Sequence, residues 1–367
     1  MPETLRVLGC FPGLEEVTRR LERRYFAPLA SAPKVQGRPR EWARLIQRLL
    51  GDSGDVLADK GNDWLMRAMR RQCQRRDVTA VHAYEDCSLS QFEEAKRRGK
   101  ACFYDMPIGY YPAWQQIQQE LCRNYSDWLP AVSPSVKSEA RIKQKCEELK
   151  LADLTLVPSS FVEATIRKFE PLKTIARAPY GVDLDFWSAP PRTESGGPLR
   201  FIYAGHMSLR KGTPLLIEAW KQAGLRDAEL ELVGPWHLAE HQRRRLPDTI
   251  KHTPACSREV LRNRYRTADA FVFPSYFEGL GMVLLEALAC GLPAIASEST
   301  GAVDVLTSAC GRIVPTGNTE ALVEGLRWFS QDRDRLPMMR LAARRRAEAF
   351  TWERYRACLT EAVAPFV

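Results

Sequence analysis

The sequence predicts two parallel, doubly wound α/β layers in one chain, and three observations carry that prediction. Short apolar runs alternate with amphipathic stretches along most of the chain, which is the rhythm of parallel sheets joined by right-handed helical crossovers. The 367 residues are enough for two domains with a core each. Between the halves, residues 188–198 (Ser-Ala-Pro-Pro-Arg-Thr-Glu-Ser-Gly-Gly-Pro) have the composition of a linker.

In the first half the apolar runs place strands at 5–8, 80–83, 101–104, 154–157 and 175–178. Ser159, two residues after the fourth of these, is expected to cap a helix. In the second half strands are expected at 199–204, 229–233, 271–273, 294–297 and 312–314. Phe271-Val272-Phe273 suits a strand buried on both faces. After 199–204 comes Gly205-His206-Met207-Ser208-Leu209-Arg210-Lys211-Gly212-Thr213-Pro214, with Thr213 expected as N-cap and Pro214 as first helical residue. Leu216, Ile217 and Trp220 give that helix its apolar face.

The most telling stretch runs from Pro274 to Pro293. Gly279 and Gly281 let the backbone turn tightly and approach a ligand. Helix formers follow from Met282 to Cys290, Gly291 fits a left-handed cap, and Pro293 stops the helix. The free amides and positive dipole end of such a helix suit an anion. Glu278 lies on the entry side and Glu286 within the helix, so two carboxylates flank the amides of Gly279, Leu280, Gly281, Met282 and Val283. A nucleotide-sugar fits that order: sugar hydroxyls, diphosphate, ribose diol. Arg210 and Lys211 lie between a strand end and a helix start, where open α/β sheets bind ligands. They are either a solvated basic loop or the cations that neutralise a departing diphosphate.

These residues resemble the E-x7-E signature of the retaining glycosyltransferases of family 4, which have the two-domain GT-B fold. Glu278 and Glu286 match the two glutamates, and Ala287, Gly291 and Pro293 match the motif's continuation. The resemblance implies that Glu278 contacts the donor sugar, Glu286 the ribose, and the Gly279–Val283 turn the diphosphate. The family's G-R-x-x-x-x-K-G segment is matched at Gly205, Lys211 and Gly212, with His206 where arginine is usual and Arg210 as the substitute cation. Pro179-Tyr180-Gly181-Val182-Asp183 resembles the family's N-G-V-D passage, with Tyr180 replacing Asn. Asp183 and Asp185 without a further ligand make a poor metal site.

The implied architecture is GT-B: residues 1–187 as the acceptor-side Rossmann-like domain, 188–198 as linker, 199–345 as the nucleotide-sugar domain. Residues 346–367 form a helix crossing back onto the first domain. The acceptor would lie on the first domain, where Gly9 and Gly13 flank the loop after the first strand. His82 and Glu85 follow a second strand, and Asp105 ends a third, where family members often carry a histidine. His82 is either a structural histidine or a sugar contact. Implied is retaining, metal-independent transfer of a hexose from a nucleoside diphosphate sugar to an acceptor hydroxyl, in polysaccharide or glycolipid synthesis, with no cofactor. The alternatives are a GT-B nucleotide-sugar epimerase and a catalytically silent GT-B binding domain.

Composition narrows the classes. At 45% hydrophobic and 27% charged the chain is that of a soluble globular protein. No apolar run approaches the ~18 residues of a membrane span, and the start lacks the apolar core of a secretory signal. Ten cysteines without a C-x-x-C pair or a Cys/His cluster point to a reduced, cytoplasmic protein without zinc. The net charge of +9 is concentrated in three arginine groups: 19, 20, 23 and 24; 40, 44 and 48; and 67, 70, 71, 75 and 76. They are either solvated helix faces or a surface for an anionic membrane or lipid-phosphate acceptor. No nucleic-acid module accompanies them.

Overall fold

A computed structural model describes residues 55–130, 139–188 and 197–367. The expected strand at 5–8, the loop glycines Gly9 and Gly13, the first two arginine groups and most of the 188–198 linker lie outside the described residues. By internal contacts the chain divides into two compact units, one made of residues up to Val81 with Asp86–Lys100, the other of His82–Glu85 with Ala101–Val367. The first contains the helices Asp55–Gln72 and Leu89–Arg97.

The strands form two sheets. The four-stranded sheet runs β1 (Ala80–Tyr84), β2 (Ala101–Asp105), β3 (Leu154–Val157) and β4 (Ile175–Arg177), in that spatial order. Phe103 pairs with Leu154 and Thr155 with Ile175 in parallel register. The six-stranded sheet comprises β5 (Leu199–Ala204), β6 (Ala228–Val233), β7 (Ile250–Thr253), β8 (Ala270–Phe273), β9 (Ala294–Ser297) and β10 (Gly311–Val314). Its order is β10-β9-β8-β5-β6-β7, every pairing parallel. Both are layers of Rossmann-like type, as the strand–helix rhythm predicts.

The strand order reverses between β5 and β8. Chain leaving β5 crosses over toward β6, whereas chain leaving β8 crosses toward β9. The loops after these neighbouring strands therefore diverge and leave a crevice at their carboxyl ends, the preferred ligand position of open α/β sheets. Every residue of β8 and β9 is buried. Phe271 and Phe273 are stacked with ring centroids 5.8 Å apart; each such ring fully buried contributes about 1.5–3 kcal/mol. The floor of the crevice is thus rigid.

One strand is added to those expected, and two local expectations change. Ile250–Thr253 is itself a strand, at the sheet edge, and carries only one buried apolar residue, Ile250. The helix Thr213–Ala223 is capped not by Thr213 but by Gly212, in left-handed conformation at φ 71°. Gly212 lies so close to the second loop that a Cβ would sit 2.1 Å from the Pro274 carbonyl oxygen, and Thr213 instead accepts the Ser208 N–H at 3.1 Å. Gly279 and Gly281 are needed for close approach to the protein's own atoms. A Cβ on Gly279 would lie 1.7 Å from the Pro107 carbonyl oxygen, and one on Gly281 2.3 Å from the Phe273 ring.

After the helix Leu336–Ala347 the chain turns at Phe350, whose carbonyl accepts the Val182 N–H at 2.9 Å. The final helix, Trp352–Val363, returns to the first layer. Trp352 and Tyr355 pack on Tyr180, and Phe366 meets Phe103 edge-on at 5.7 Å.

Candidate functional site at the strand-order reversal

Arg210 and Lys211 sit on the loop after β5, and Glu278 on the loop after β8. The two loops are tied by the Tyr276 N–H donating to the Arg210 carbonyl at 2.8 Å, besides the Gly212–Pro274 approach. Glu278 forms ion pairs with Lys211 and, at 3.3 Å, with Arg210. Arg210 also donates to the Phe277 carbonyl at 2.8 Å, and the Lys211 ammonium lies 5.1 Å from the Phe273 ring centroid. Side-chain exposure is 14% for Lys211 and 15% for Glu278 against 31% for Arg210, so the first two form a largely desolvated pair with Arg210 at its rim.

Burial alone pushes the Glu278 carboxyl up, but Lys211 and Arg210 outweigh it and hold it below the usual carboxylate range. Burial likewise pushes the Lys211 ammonium down, opposed by Glu278. Glu278 is therefore ionised at neutral pH, and its charge in turn favours the protonated form of Lys211. With two cations against one carboxylate, the pocket keeps a surplus positive charge for an anionic ligand.

The helix Met282–Ala289 starts beside this cluster, with Gly281 as N-cap and no side-chain cap. The Gly281 N–H is taken by the Thr300 carbonyl at 3.3 Å. The amides of Met282 and Val283, as first helical donors, have no protein acceptor among the described residues. One turn on, Glu286 is partly buried and has no ion-pair partner among the described residues. Burial pushes its carboxyl up to about 7, opposed only by Arg258.

The other expected donor contacts are more peripheral. His206 is exposed, its ring 4.9 Å from that of His237. Burial of the ring, His237, Lys211 and Arg210 all push its pKa down, so His206 is no substitute for a permanent cation. Gly205, at φ 151°, lies against Gly234, where a Cβ would come within 1.9 Å of the Gly205 carbonyl oxygen.

On the first layer, His82 stands 3.7 Å from the buried Asp105, and the Glu85 carboxylate is ion-paired with the buried Lys145. Asp105 and Glu85 thus make these ion pairs within the first layer. Two segments of that layer reach the Glu278 loop: after β2, Gly109 donates to the Glu278 carbonyl at 3.4 Å, and after β3, Ser159 donates to the Gly279 carbonyl at 2.8 Å. Gly109 and Phe277, together with the bond from Ser159 to Gly279, are contacts that sequence reasoning missed. None carries a local pattern beyond adjacency to Glu278 or to a strand end.

Among the described residues no group of three or more His, Cys, Asp or Glu is placed to hold a metal ion. Asp183 instead closes a turn, accepting the Phe186 N–H at 2.9 Å. In the third arginine group, Arg70 pairs with Glu94 and Arg75 with Asp77, while Arg67, Arg71 and Arg76 are exposed. No helix among the described residues is long and apolar enough to cross a membrane.

The match to a family model falls on the second half of the chain. Residues 187–346 match the family model for glycosyl transferases group 1. The D-inositol 3-phosphate glycosyltransferase of Streptomyces bingchenggensis is 36% identical over 118 residues, 32% of this chain and 26% of that protein. The GDP-mannose-dependent monoacylated alpha-(1-6)-phosphatidylinositol monomannoside mannosyltransferase of Corynebacterium glutamicum is 31% identical over 216 residues, 52% of this chain and 57% of that one. The alignments thus span roughly a quarter to a little over half of these relatives' lengths. Among solved structures, sucrose-phosphate synthase from Thermosynechococcus elongatus superposes with a TM-score of 0.63 at 20% identity, covering 82% of this chain and 76% of that one. The fold is GT-B.

Proposed function

We propose that this protein is a retaining glycosyltransferase that moves a sugar from a nucleoside diphosphate to an acceptor hydroxyl. The observation that carries the proposal is the pairing of Glu278 with Lys211 and Arg210 beside the unpartnered amides of Met282 and Val283, at the strand-order reversal of a GT-B fold. A diphosphate placed on those amides meets Lys211 and Arg210 as its second and third contacts. The sugar beyond it faces Glu278, whose carboxylate accepts from hydroxyls. The ribose on the other side meets Glu286, where a vicinal diol donating to the carboxylate favours its charged form.

In the proposed reaction the acceptor oxygen bonds to the anomeric carbon on the face from which the diphosphate departs. The carbon–oxygen bond to phosphate breaks, and a donor phosphate oxygen takes the acceptor's proton. The leaving group gains charge in the transition state, so Lys211, Arg210 and the two amides bind it more strongly there than in the ground state. This needs no enzyme nucleophile and assigns the charge stabilisation to protein groups alone, without cofactor or metal. Residues 1–187, the 188–198 linker, residues 199–345 and the crossing helix of 346–367 are the proposed working parts. A saccharide or lipid-linked acceptor lies on the first layer near His82, Glu85 and Asp105. The names of both curated relatives, an inositol phosphate enzyme and a phosphatidylinositol mannoside enzyme, support an acceptor of polyol or glycolipid type. The exposed arginines Arg67, Arg71 and Arg76 support peripheral placement at an anionic membrane from the cytoplasmic side.

Release of nucleoside diphosphate from a panel of UDP-, GDP-, ADP- and dTDP-sugars, by wild type and Glu278→Gln, tests the reading. Loss of about 10²–10³-fold in the variant is expected for a group acting in the transition state. Equal turnover by the two proteins removes Glu278 from the mechanism, and sugar interconversion without an acceptor identifies an epimerase instead.

A further inference from the structure

Glu278 is held by two different layers. Its carboxylate is fixed from the second layer, by Lys211 and Arg210. Its main chain is fixed from the first, residues 101–187. Phe277, one residue earlier, is 1% exposed, and its ring lies 5.5 Å from that of Trp114 and 5.4 Å from that of Phe161. Gly109 packs so closely on the same ring that a Cβ there would sit 2.4 Å from it. One residue later, the Gly279 carbonyl accepts the buried Ser159 hydroxyl at 2.8 Å, and the Glu278 carbonyl itself accepts the Gly109 N–H at 3.4 Å. Ile108 and Gly279 are bridged as an isolated antiparallel pair.

The geometry points to Phe277 and Ser159 as positioning residues that set the Glu278 pose only while the two layers are docked. This rests on the reading of Glu278 as the donor-sugar contact. The groups assigned to the nucleotide and diphosphate (Lys211, Arg210, the Met282 and Val283 amides, Glu286) all lie on the second layer, so nucleotide binding does not need the first. Orientation of the sugar does. Undocking takes the aromatic wall from Phe277 and the hydroxyl from Gly279, and three consecutive residues lose what fixes them. A glutamate between two such anchors then has a side chain tethered to cations and a backbone without a defined path.

Ser159 needs separating from its other role, since it also caps the helix Ser160–Arg167 by accepting the Val162 N–H at 3.3 Å. That helix keeps a second cap, because Asp304 accepts from both the N–H and the hydroxyl of Ser160, at 2.7 and 2.9 Å. Ser159→Ala therefore tests the bond to Gly279 on a helix that stays capped. Gly109→Ala tests the aromatic half by pushing the Phe277 ring aside without removing it. Phe277→Ala is the direct variant, but it leaves a cavity that endangers folding, so the two milder variants decide.

The experiment measures kcat for nucleoside diphosphate release from whichever of the UDP-, GDP-, ADP- and dTDP-sugars wild type turns over, and the Kd of the matching nucleoside diphosphate, on the full chain. Expected is a fall of about 10²-fold in kcat for Gly109→Ala, the cost of a roughly 1 Å misplacement, and a smaller fall for Ser159→Ala. The diphosphate Kd should stay within about twofold of wild type, because the lost interaction is not made to the nucleotide. Wild-type kcat in both variants overturns the inference, as does a Kd that weakens in step with kcat. If wild type itself neither binds any of the four diphosphates nor releases them, the donor-site reading has failed. That outcome is recognised before the variants are compared.

Discussion

Replacing Glu286 by Gln should make the protein more stable and its nucleotide site worse, and the size of the first effect follows from where Glu286 sits. Burial carries its carboxyl from an ordinary 4.5 up to about 7. At 1.36 kcal/mol per pKa unit, those 2.5 or so units amount to about 3 kcal/mol, and to about 2–3 kcal/mol once residual solvent contact is allowed for. The folded pKa lies above the unfolded one, so the folded state keeps a proton that the unfolded chain has already released. Stability is therefore full below pH ~4.5 and declines as pH rises through ~7. Glutamine keeps the shape without the charge. Thermal melts at pH 5 and pH 8.5 should show the variant nearly level with wild type at the lower pH and ahead by several degrees at the higher, given about 2 °C per kcal/mol for large domains. Nucleoside diphosphate affinity should fall by about 10-fold or more, as hydrogen bonds to a charged acceptor are lost. A variant equally stable relative to wild type at both pH values, or less stable at pH 8.5, refutes the assignment of the shift to burial of an unpartnered carboxylate.

Lys211→Met leaves Glu278 with Arg210 alone, so urea unfolding at pH 7 should show a loss of about 1–3 kcal/mol, less than the ~3–5 kcal/mol of a fully stranded buried charge. Because the Glu278 pKa is depressed, that difference is present at neutral pH and should shrink as pH falls through the carboxylate's folded pKa; a constant gap down to pH 3 counts against the pair. Gly212→Ala puts a methyl into the Pro274 carbonyl at a left-handed position, and its melting temperature should drop by more than the ~1 kcal/mol equivalent of φ strain alone; a neutral substitution would contradict the loop contact. Asp304→Asn removes the charged cap of the helix Ser160–Arg167, which should cost about 1 kcal/mol in a chemical melt with no change in nucleotide affinity.

Most of the second layer was legible because its signals are local. Strands 199–204 and 294–297 match the prediction to the residue, since short apolar runs bounded by Gly, Pro and charged residues leave little choice. Gly291 is a left-handed cap at φ 68°, as its place between a helix-forming run and Pro293 requires. The cation loop and the glutamate loop were each readable, and the parallel order explains why they meet, although strand order itself is a long-range property. The errors lie where tertiary contact decides. Thr213 has the chemistry of an N-cap, but the approach to Pro274 forces a left-handed residue one position earlier. Gly279 reads as space for a ligand, whereas the space holds Pro107. Ile250–Thr253, absent from the expected strands, is an edge strand with one buried apolar residue, too weak a pattern to stand out. On the first layer, the pairing of Glu85 with Lys145 joins residues 60 positions apart, beyond the reach of any local pattern.

The site has one defining claim, that a pyrophosphate rests on Lys211, Arg210 and the amides that open the helix Met282–Ala289. Titration calorimetry with a nucleoside, its monophosphate and its diphosphate measures that claim directly, in wild type and in Lys211→Ala. The account predicts the diphosphate binding at least ~100-fold tighter than the nucleoside in wild type, with most of that advantage gone in the variant, in keeping with charge-assisted bonds of about 1.5–3 kcal/mol each. A nucleoside that binds wild type as tightly as its diphosphate, or an advantage that survives loss of Lys211, contradicts it.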